Sequence, residues 1–290
     1  MSRAVFAALL LGYLLILPGF SGALLDRPVE IKLGYVPHPQ VLRLVSADHK
    51  LLTGEWLVVK VLYYFGSVLQ KSFEHVIVRP EFANMYRTLQ TSTRLDPYNM
   101  DPYYFAQAAF TWELGRVKEV NALLEYGIKH RSWDPWLHFY LGFNYAYFLK
   151  EYDKAAFYMQ KAGEISGNSL FVNLAARYFY ESEQTGLGLT FLDAMIAEAK
   201  DPAIRKTYEL RRDALVAISS IEQAVEHYRR QHGRSPAELA ELVNSNVLSD
   251  LPKDPYGGHF FLDERGRVRS SSKLAPSFST EGVSDSQVIE

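Results

Sequence analysis

The chain has 290 residues, 48% hydrophobic and 22% charged, enough to bury a full core without covalent staples. Its formal charge of -2 and near-neutral pI remove the electrostatic case for nucleic-acid binding. With no cysteine, disulfides, thiolate metal sites, C-x-x-C-H haem attachment and a lipid-modified N-terminal cysteine are excluded.

The N-terminus starts with Met1-Ser2-Arg3, and residues 4–25 carry no charge. Pro18 and Gly19 predict a break in this apolar run. Ser21-Gly22-Ala23 supplies small residues where a signal peptidase reads, so residues 1–23 are expected to be a secretory signal cleaved after Ala23. An uncleaved anchor is the alternative, because the run is just long enough to span a bilayer. Either reading puts the body outside the cytoplasm. For a chain without disulfides this suggests a bacterial periplasm, with the protein exported or held at the inner membrane.

Residues 24–50 read as an extended lead punctuated by Pro28, Pro37 and Pro39. Helical periodicity begins near Val41 and is strong over 51–69, where Trp56, Val59, Leu62, Tyr63 and Phe65 cluster. Pro80 separates a second helix ending at Leu95-Asp96-Pro97, making 51–98 a degenerate first repeat. Asp101-Pro102-Tyr103-Tyr104 then opens a helix pair turning at Gly115. Asp134-Pro135-Trp136-Leu137 opens another, turning at Lys150-Glu151 and closing at Gly167-Asn168. A fourth pair is expected over 170–200, with its turn at Gly186-Leu187-Gly188 and Asp201-Pro202 as terminator. Two amphipathic helices recurring at about 34 residues are the signature of a stacked helical solenoid.

One unbroken helix follows over 203–232 as a cap. Its Arg205, Lys206, Arg211 and Arg212 are read as a solvated face among Glu209 and Asp213. Ser235 and Pro236 predict the start of a short helix over 237–247. Strands at 259–262 and 268–271 joined through Asp263-Glu264-Arg265-Gly266 make a hairpin, and the Ser-rich tail from Lys273 reads as disordered.

In the third pair Leu141, Gly142, Tyr145, Ala155 and Ala162, and in the second Ala108 or Ala109 with Gly127, resemble the tetratricopeptide repeat pattern. His138 or Trp136 stands where that family has an early aromatic, and Gly167 replaces its closing proline. The stretch 221–271, with "Ser-Pro-Ala-Glu-Leu-Ala-Glu-Leu" and "Leu-Pro-Lys-Asp-Pro-Tyr-Gly" before a hairpin, is similar to the globular end of type II secretion major pseudopilins. Gly19-Phe20 follows the apolar run instead of preceding it, so the chain is no filament subunit. The resemblances imply an all-α fold: a tetratricopeptide-type superhelix over 51–201, and a capping helix with a pseudopilin-like hairpin module over 202–272.

The resemblance implies a non-enzymatic periplasmic interaction scaffold, without cofactor, serving a pilus, secretion or other envelope-assembly apparatus through protein partners. Its groove would be lined by Tyr104, Trp112, His138, Asn144 and Tyr145, each of which also has an ordinary packing role. A membrane-tethered structural subunit is the alternative, and membrane contact is expected only if the N-terminal segment is uncleaved. A cell-wall glycan enzyme is a further alternative, with Glu113 beside Trp112 as its acid. No H-E-x-x-H, nucleophile elbow or phosphate loop occurs. Asp254 and Asp263 flank the hairpin as calcium candidates through the pseudopilin resemblance, against turn capping by Asp.

Overall fold

A computed structural model describes residues 2–25, 32–74, 80–112 and 115–275. Pro28 of the lead, His75, Glu113 and positions 276–290 of the tail lie outside these. The chain divides into two compact units, Met1–Pro102 and Tyr103–Glu290. That boundary falls inside the stretch expected to be continuous repeats.

In the first unit, α1 (Ser2–Leu25) runs through Pro18 without interruption. The break expected at Pro18-Gly19 does not occur. Proline removes one intrahelical hydrogen bond, and leucine-rich flanks carry the helix across it. After residues 32–38, α2 (Pro39–Ser46) leads through a short 3-10 turn into α3 (Lys50–Phe73), and α4 (Phe82–Leu95) packs along it. The α3–α4 contact buries Val61, Met85 and Leu89 completely. It is close enough at Gly54 for its carbonyl to accept the Ser92 hydroxyl at 2.8 Å. The Tyr64 hydroxyl accepts the Glu81 amide at 2.7 Å and fixes the entry to α4.

The second unit continues with α5 (Asp101–Phe105), which widens into a π-helical segment over Ala106–Thr111, then α6 (Val117–His130). The next pair is α7 (Pro135–Asn144), widening over Tyr145–Leu149, and α8 (Tyr152–Ser166). Both first helices end alike. Arg116 N–H reaches back to Phe110 C=O at 3.0 Å, and Glu151 N–H to Tyr145 C=O at 2.9 Å. Just before each donor stands a left-handed residue, Gly115 at φ +62° and Lys150 at φ +58°. Asp134 caps α7 by accepting Trp136 N–H at 2.9 Å, with Pro135 in the first turn.

Next come α9 (Ser169–Glu181) and α10 (Thr185–Glu198), each packed on its predecessor. Here the sequence reading is corrected. The turn is Ser182-Glu183-Gln184, with Glu183 left-handed, and both Gly186 and Gly188 lie inside α10. Gly188 serves close approach instead: a β-carbon there would stand 3.1 Å from both Phe179 Cβ and Leu215 Cδ1. Glycines 127, 142 and 163 play the same part at other helix contacts.

Helix α11 (Pro202–His232), capped by Asp201 onto Ala203 N–H at 2.8 Å, covers α9 and α10. Its Tyr208, Leu215, Ile218 and Ile221 share one core with Leu242, Tyr256, Val268 and Leu274. The C-terminal module is therefore part of the same folded body. The helix expected over 237–247 shrinks to α12 (Ala240–Asn244), and Ser235 does not cap it. Instead the Glu241 carboxylate accepts Ala237 N–H at 3.0 Å, together with the Tyr228 hydroxyl and the Arg234 guanidinium. Strands β1 (Phe260–Leu262) and β2 (Val268–Ser270) pair antiparallel, Phe261 opposite Arg269. The fold is mostly helical with this one small hairpin among the described residues. Leu274, expected to be disordered, is buried in the core.

Arg211 is also corrected. It is not on a solvated face but buried, with its guanidinium 5.1 Å from the Tyr256 ring centroid. Tyr256 thus lies over the first third of α11.

Candidate functional site

Helix α7 is apolar on two faces. Leu137 and Leu141 point into the core and are fully buried. The opposite stripe, Trp136, Phe139, Tyr140 and Phe143, continues into Tyr147 and Phe148 of the π segment. Its spacing of three and four residues keeps it on one side of the helix. The rings form a connected strip. Phe143 and Tyr147 stack at 5.4 Å with 10° between their planes, and Phe139 stacks on Phe171 of α9 at 4.9 Å. Trp112, just after the π segment that follows α5, meets Phe143, Tyr147 and Phe148 at 5.8, 5.4 and 5.1 Å. Tyr104 joins the other end through Tyr140 at 6.4 Å.

Such ring packing ordinarily removes aromatics from water, yet much of this strip stays wet. Tyr104 is 59% exposed, Trp112 53%, Trp136 50% and Tyr147 52%. Lys150 Nζ lies 5.3 Å over the Tyr147 ring and adds a cation to the rim. Burial raises the Tyr140 phenol above its ordinary pKa, with Tyr104 and Asp134 adding to the shift, so it stays a neutral donor.

The strip rests on a buried amide ladder. Gln107 and Asn144 exchange two hydrogen bonds of 2.8 Å, and Asn144 Nδ2 also donates to Asn121 Oδ1 at 2.8 Å. These amides tie α6, α7 and the π segment after α5 together behind the strip. Both first helices widen near this ladder, which fits the tendency of π segments to gather at functional sites.

The five groove residues expected from the sequence divide. Tyr104 and Trp112 lie on the aromatic strip. Asn144 is fully buried in the ladder, and His138 is buried, its Nδ1 donating to Asp134 C=O at 3.2 Å. Burial lowers the His138 pKa, partly opposed by Asp134. Tyr145 belongs to a separate cluster: it stacks on Tyr158 at 5.6 Å with a 2° interplanar angle, and both hydroxyls reach Glu125 Oε1 at 3.4 Å. Burial, with the Glu125 charge, pushes the Tyr158 phenol up to about 12. Sequence reasoning missed Trp136, Phe139, Tyr140, Phe143 and Tyr147. Their spacing, out of phase with Leu137 and Leu141, was the available signal.

The two calcium candidates are committed to their own turns. Asp254 Oδ1 accepts Tyr256 N–H at 2.9 Å, and its Oδ2 accepts the Ser270 and Ser272 hydroxyls. Asp263 accepts the amides of Arg265 and Arg267 and pairs with the guanidiniums of Arg267 and Arg269. Although burial pushes the Asp263 carboxyl up, these donors hold it at about 2. Among the described residues no group of three or more His, Cys, Asp or Glu side chains is arranged to hold a metal. The chain matches no protein-family model and no curated protein sequence.

Proposed function

We propose that the protein is a non-enzymatic interaction scaffold of the cell envelope, in which tetratricopeptide-type helix pairs present the aromatic strip of α7 to a protein partner. The observation that carries this reading is the strip itself, held rigid from behind and left open to water in front. Rings of this kind supply large contact area at low conformational cost, and they suit the apolar side of an amphipathic helix or an extended segment. The matching ends of α5–α6 and α7–α8, with the glycines at helix contacts, support the repeat. The shared core of α9–α11 and the hairpin supports a cap on its last pair. The periplasmic setting, and a pilus or secretion apparatus as the source of the partner, rest on the N-terminal segment and the pseudopilin-like C-terminus.

A membrane-tethered form of the same scaffold is the second reading. The continuity of α1 through Pro18 favours it, because a helix whose residues 4–25 carry no charge is just long enough to remain in a bilayer.

The test is site-specific photocrosslinking in the native envelope. A photoreactive residue at Tyr147 should give a discrete adduct, and one at Phe157, exposed on α8, should not. Trp112→Ala with Trp136→Ala should abolish the adduct while the protein keeps its helical circular dichroism and one cooperative unfolding transition. Equal adducts from both positions, or adducts indifferent to the tryptophans, would remove the strip as the binding face.

A further inference from the structure

We infer that the first unit pairs with a second copy of this chain through the outward face of α3, the two helices lying side by side and parallel. Helix α3 is apolar on both sides. The side that includes Leu57, Val61, Tyr64 and Val68 is buried, with α4 and α2 packed on the helix. The opposite side carries Leu52, Val59, Gly66 and Phe73 in one row and Trp56, Tyr63 and Gln70 in the next. All seven are exposed, Tyr63 at 78% and Phe73 at 82%. An apolar face of this length needs cover.

The period identifies what covers it. From Leu52 to Phe73 the seven positions are spaced alternately by four and three residues, a strict heptad seam. A face repeating every 3.5 residues keeps contact with a second such helix along its length, whereas a flat lipid surface sets no such period. Two polar groups also suit a helix better than hydrocarbon. Gln70 stands in the seam itself, where a polar side chain fixes the register of a pair, and Glu55 stands on its flank. A β-carbon at Gly66 would meet nothing within 4 Å, which leaves room in that layer for the Tyr63 rings of both copies.

Charge sets the direction. Glu55, Leu62 and Leu69 border the seam on one side, and Thr53, Lys60 and Ser67 on the other. In a parallel pair the first border meets the second border of the partner five residues further on. Glu55 therefore faces the partner's Lys60, twice by symmetry. Antiparallel pairing sets each border against itself and puts Glu55 opposite leucine. The area is adequate as well. The exposed parts of Trp56, Tyr63 and Phe73 alone come to on the order of 400 Å² per chain. Leu52, Val59, Leu62 and Leu69 bring the face toward the roughly 800 Å² per partner of a stable interface.

The chain has no native cysteine, so disulfide trapping reads the pairing directly. Leu52→Cys, Phe73→Cys and, as control, Lys206→Cys on exposed α11 are each made in the full chain and oxidised in mild detergent. Helix α1 is present throughout, so any association through it is common to every sample. Leu52→Cys and Phe73→Cys should each form covalent dimers several-fold faster than Lys206→Cys. Adding Glu55→Lys should slow both several-fold, and Glu55→Lys with Lys60→Glu should restore the rate. All these positions are on the surface of the fold, and unchanged helical circular dichroism confirms that it is kept. Oxidation of all three cysteines at the slow control rate would overturn the pairing. Dimers that form only when the Leu52→Cys and Phe73→Cys proteins are mixed would overturn the parallel arrangement, as would rates indifferent to both charge changes. Slow oxidation throughout, with Leu52→Cys shielded from an aqueous thiol reagent once the protein is in vesicles, would give the face to lipid and overturn the inference.

Discussion

Gly142 offers a sharp test of how the helix pairs are built. It sits on α7 where α8 passes closest. A β-carbon there would stand 2.8 Å from Met159 Cγ, 3.1 Å from Met159 Cε and 3.2 Å from the carbonyl oxygen of Ala155. Met159 is fully buried, and Cγ lies near the root of its side chain, so rotation of the thioether end alone does not clear the space. The carbonyl belongs to the helix itself, so the two helices must separate. Against this, replacing a mid-helix glycine by alanine gains roughly 1 kcal/mol of helix propensity. Overpacking costs about 1–3 kcal/mol, so Gly142→Ala should be destabilising by about 0–2 kcal/mol, and Gly142→Leu by about 3 kcal/mol or more. A double-mutant cycle adds force. Met159→Ala alone should cost about 2–5 kcal/mol. Combined with Gly142→Ala it should cost less than the sum by about 1 kcal/mol, because the new methyl enters the space the thioether leaves. Urea unfolding followed by circular dichroism, with equal m-values required for comparison, measures all four corners. Additive losses, or a Gly142→Leu protein as stable as the parent, would refute the close approach of α7 and α8.

Gly186→Ala and Gly188→Ala, two positions apart in α10, should move the melting temperature in opposite directions. The first meets nothing within 4 Å and should raise it, whereas the second presses on Phe179 and Leu215 and should lower it. Asn144→Ala orphans the amides of Gln107 and Asn121 in a buried site and should cost about 2–4 kcal/mol in the same urea assay, whereas an exposed asparagine would cost almost nothing. His138, its pKa lowered by burial, makes the unfolded chain bind more protons than the folded one below the ordinary histidine pKa of 6.5. This part of the stability is present at neutral pH and lost as pH falls through that value toward the lowered one. The drop in melting temperature from neutral to mildly acidic pH should therefore shrink in His138→Gln, and an unchanged drop would contradict the burial argument.

How much was legible in the sequence differs by element. The helices opened by Asp-Pro or Asn, α7, α9 and α11, carry their caps in the chain itself, and their starts agree with the structure to within a residue or two. The hairpin was legible for the same reason, since Asp263 and Gly266 dictate a turn locally. Gly186-Leu187-Gly188 misled because glycine marks both turns and close helix contacts, and only the position of Leu215, far along the chain, tells the two apart. Arg211 misled because a charged side chain on a helix is ordinarily solvated, and the ring that covers it comes from residue 256. The candidate site was half legible: Tyr104 and Trp112 were picked as aromatics of first helices. The central rings of α7 were not singled out, because composition does not say which of two apolar helix faces stays partly open to water.

The widened turns at Ala106–Thr111 and Tyr145–Leu149 have a further implication. A π turn holds its shape with one residue more than an α turn, and removing that residue returns the backbone to ordinary α geometry without opening the helix. The rings upstream, Trp136 through Phe143, would keep their bearing, whereas Tyr147 and Phe148 would swing by about a quarter turn. A one-codon deletion at the second site thus changes which aromatics meet Trp112, but it also turns buried Ala146, and one at the first site turns buried Phe110 and Gln107 of the amide ladder. The aromatic face and the core behind it are therefore coupled through these two turns, and the strip cannot be re-aimed without re-registering the residues beneath it.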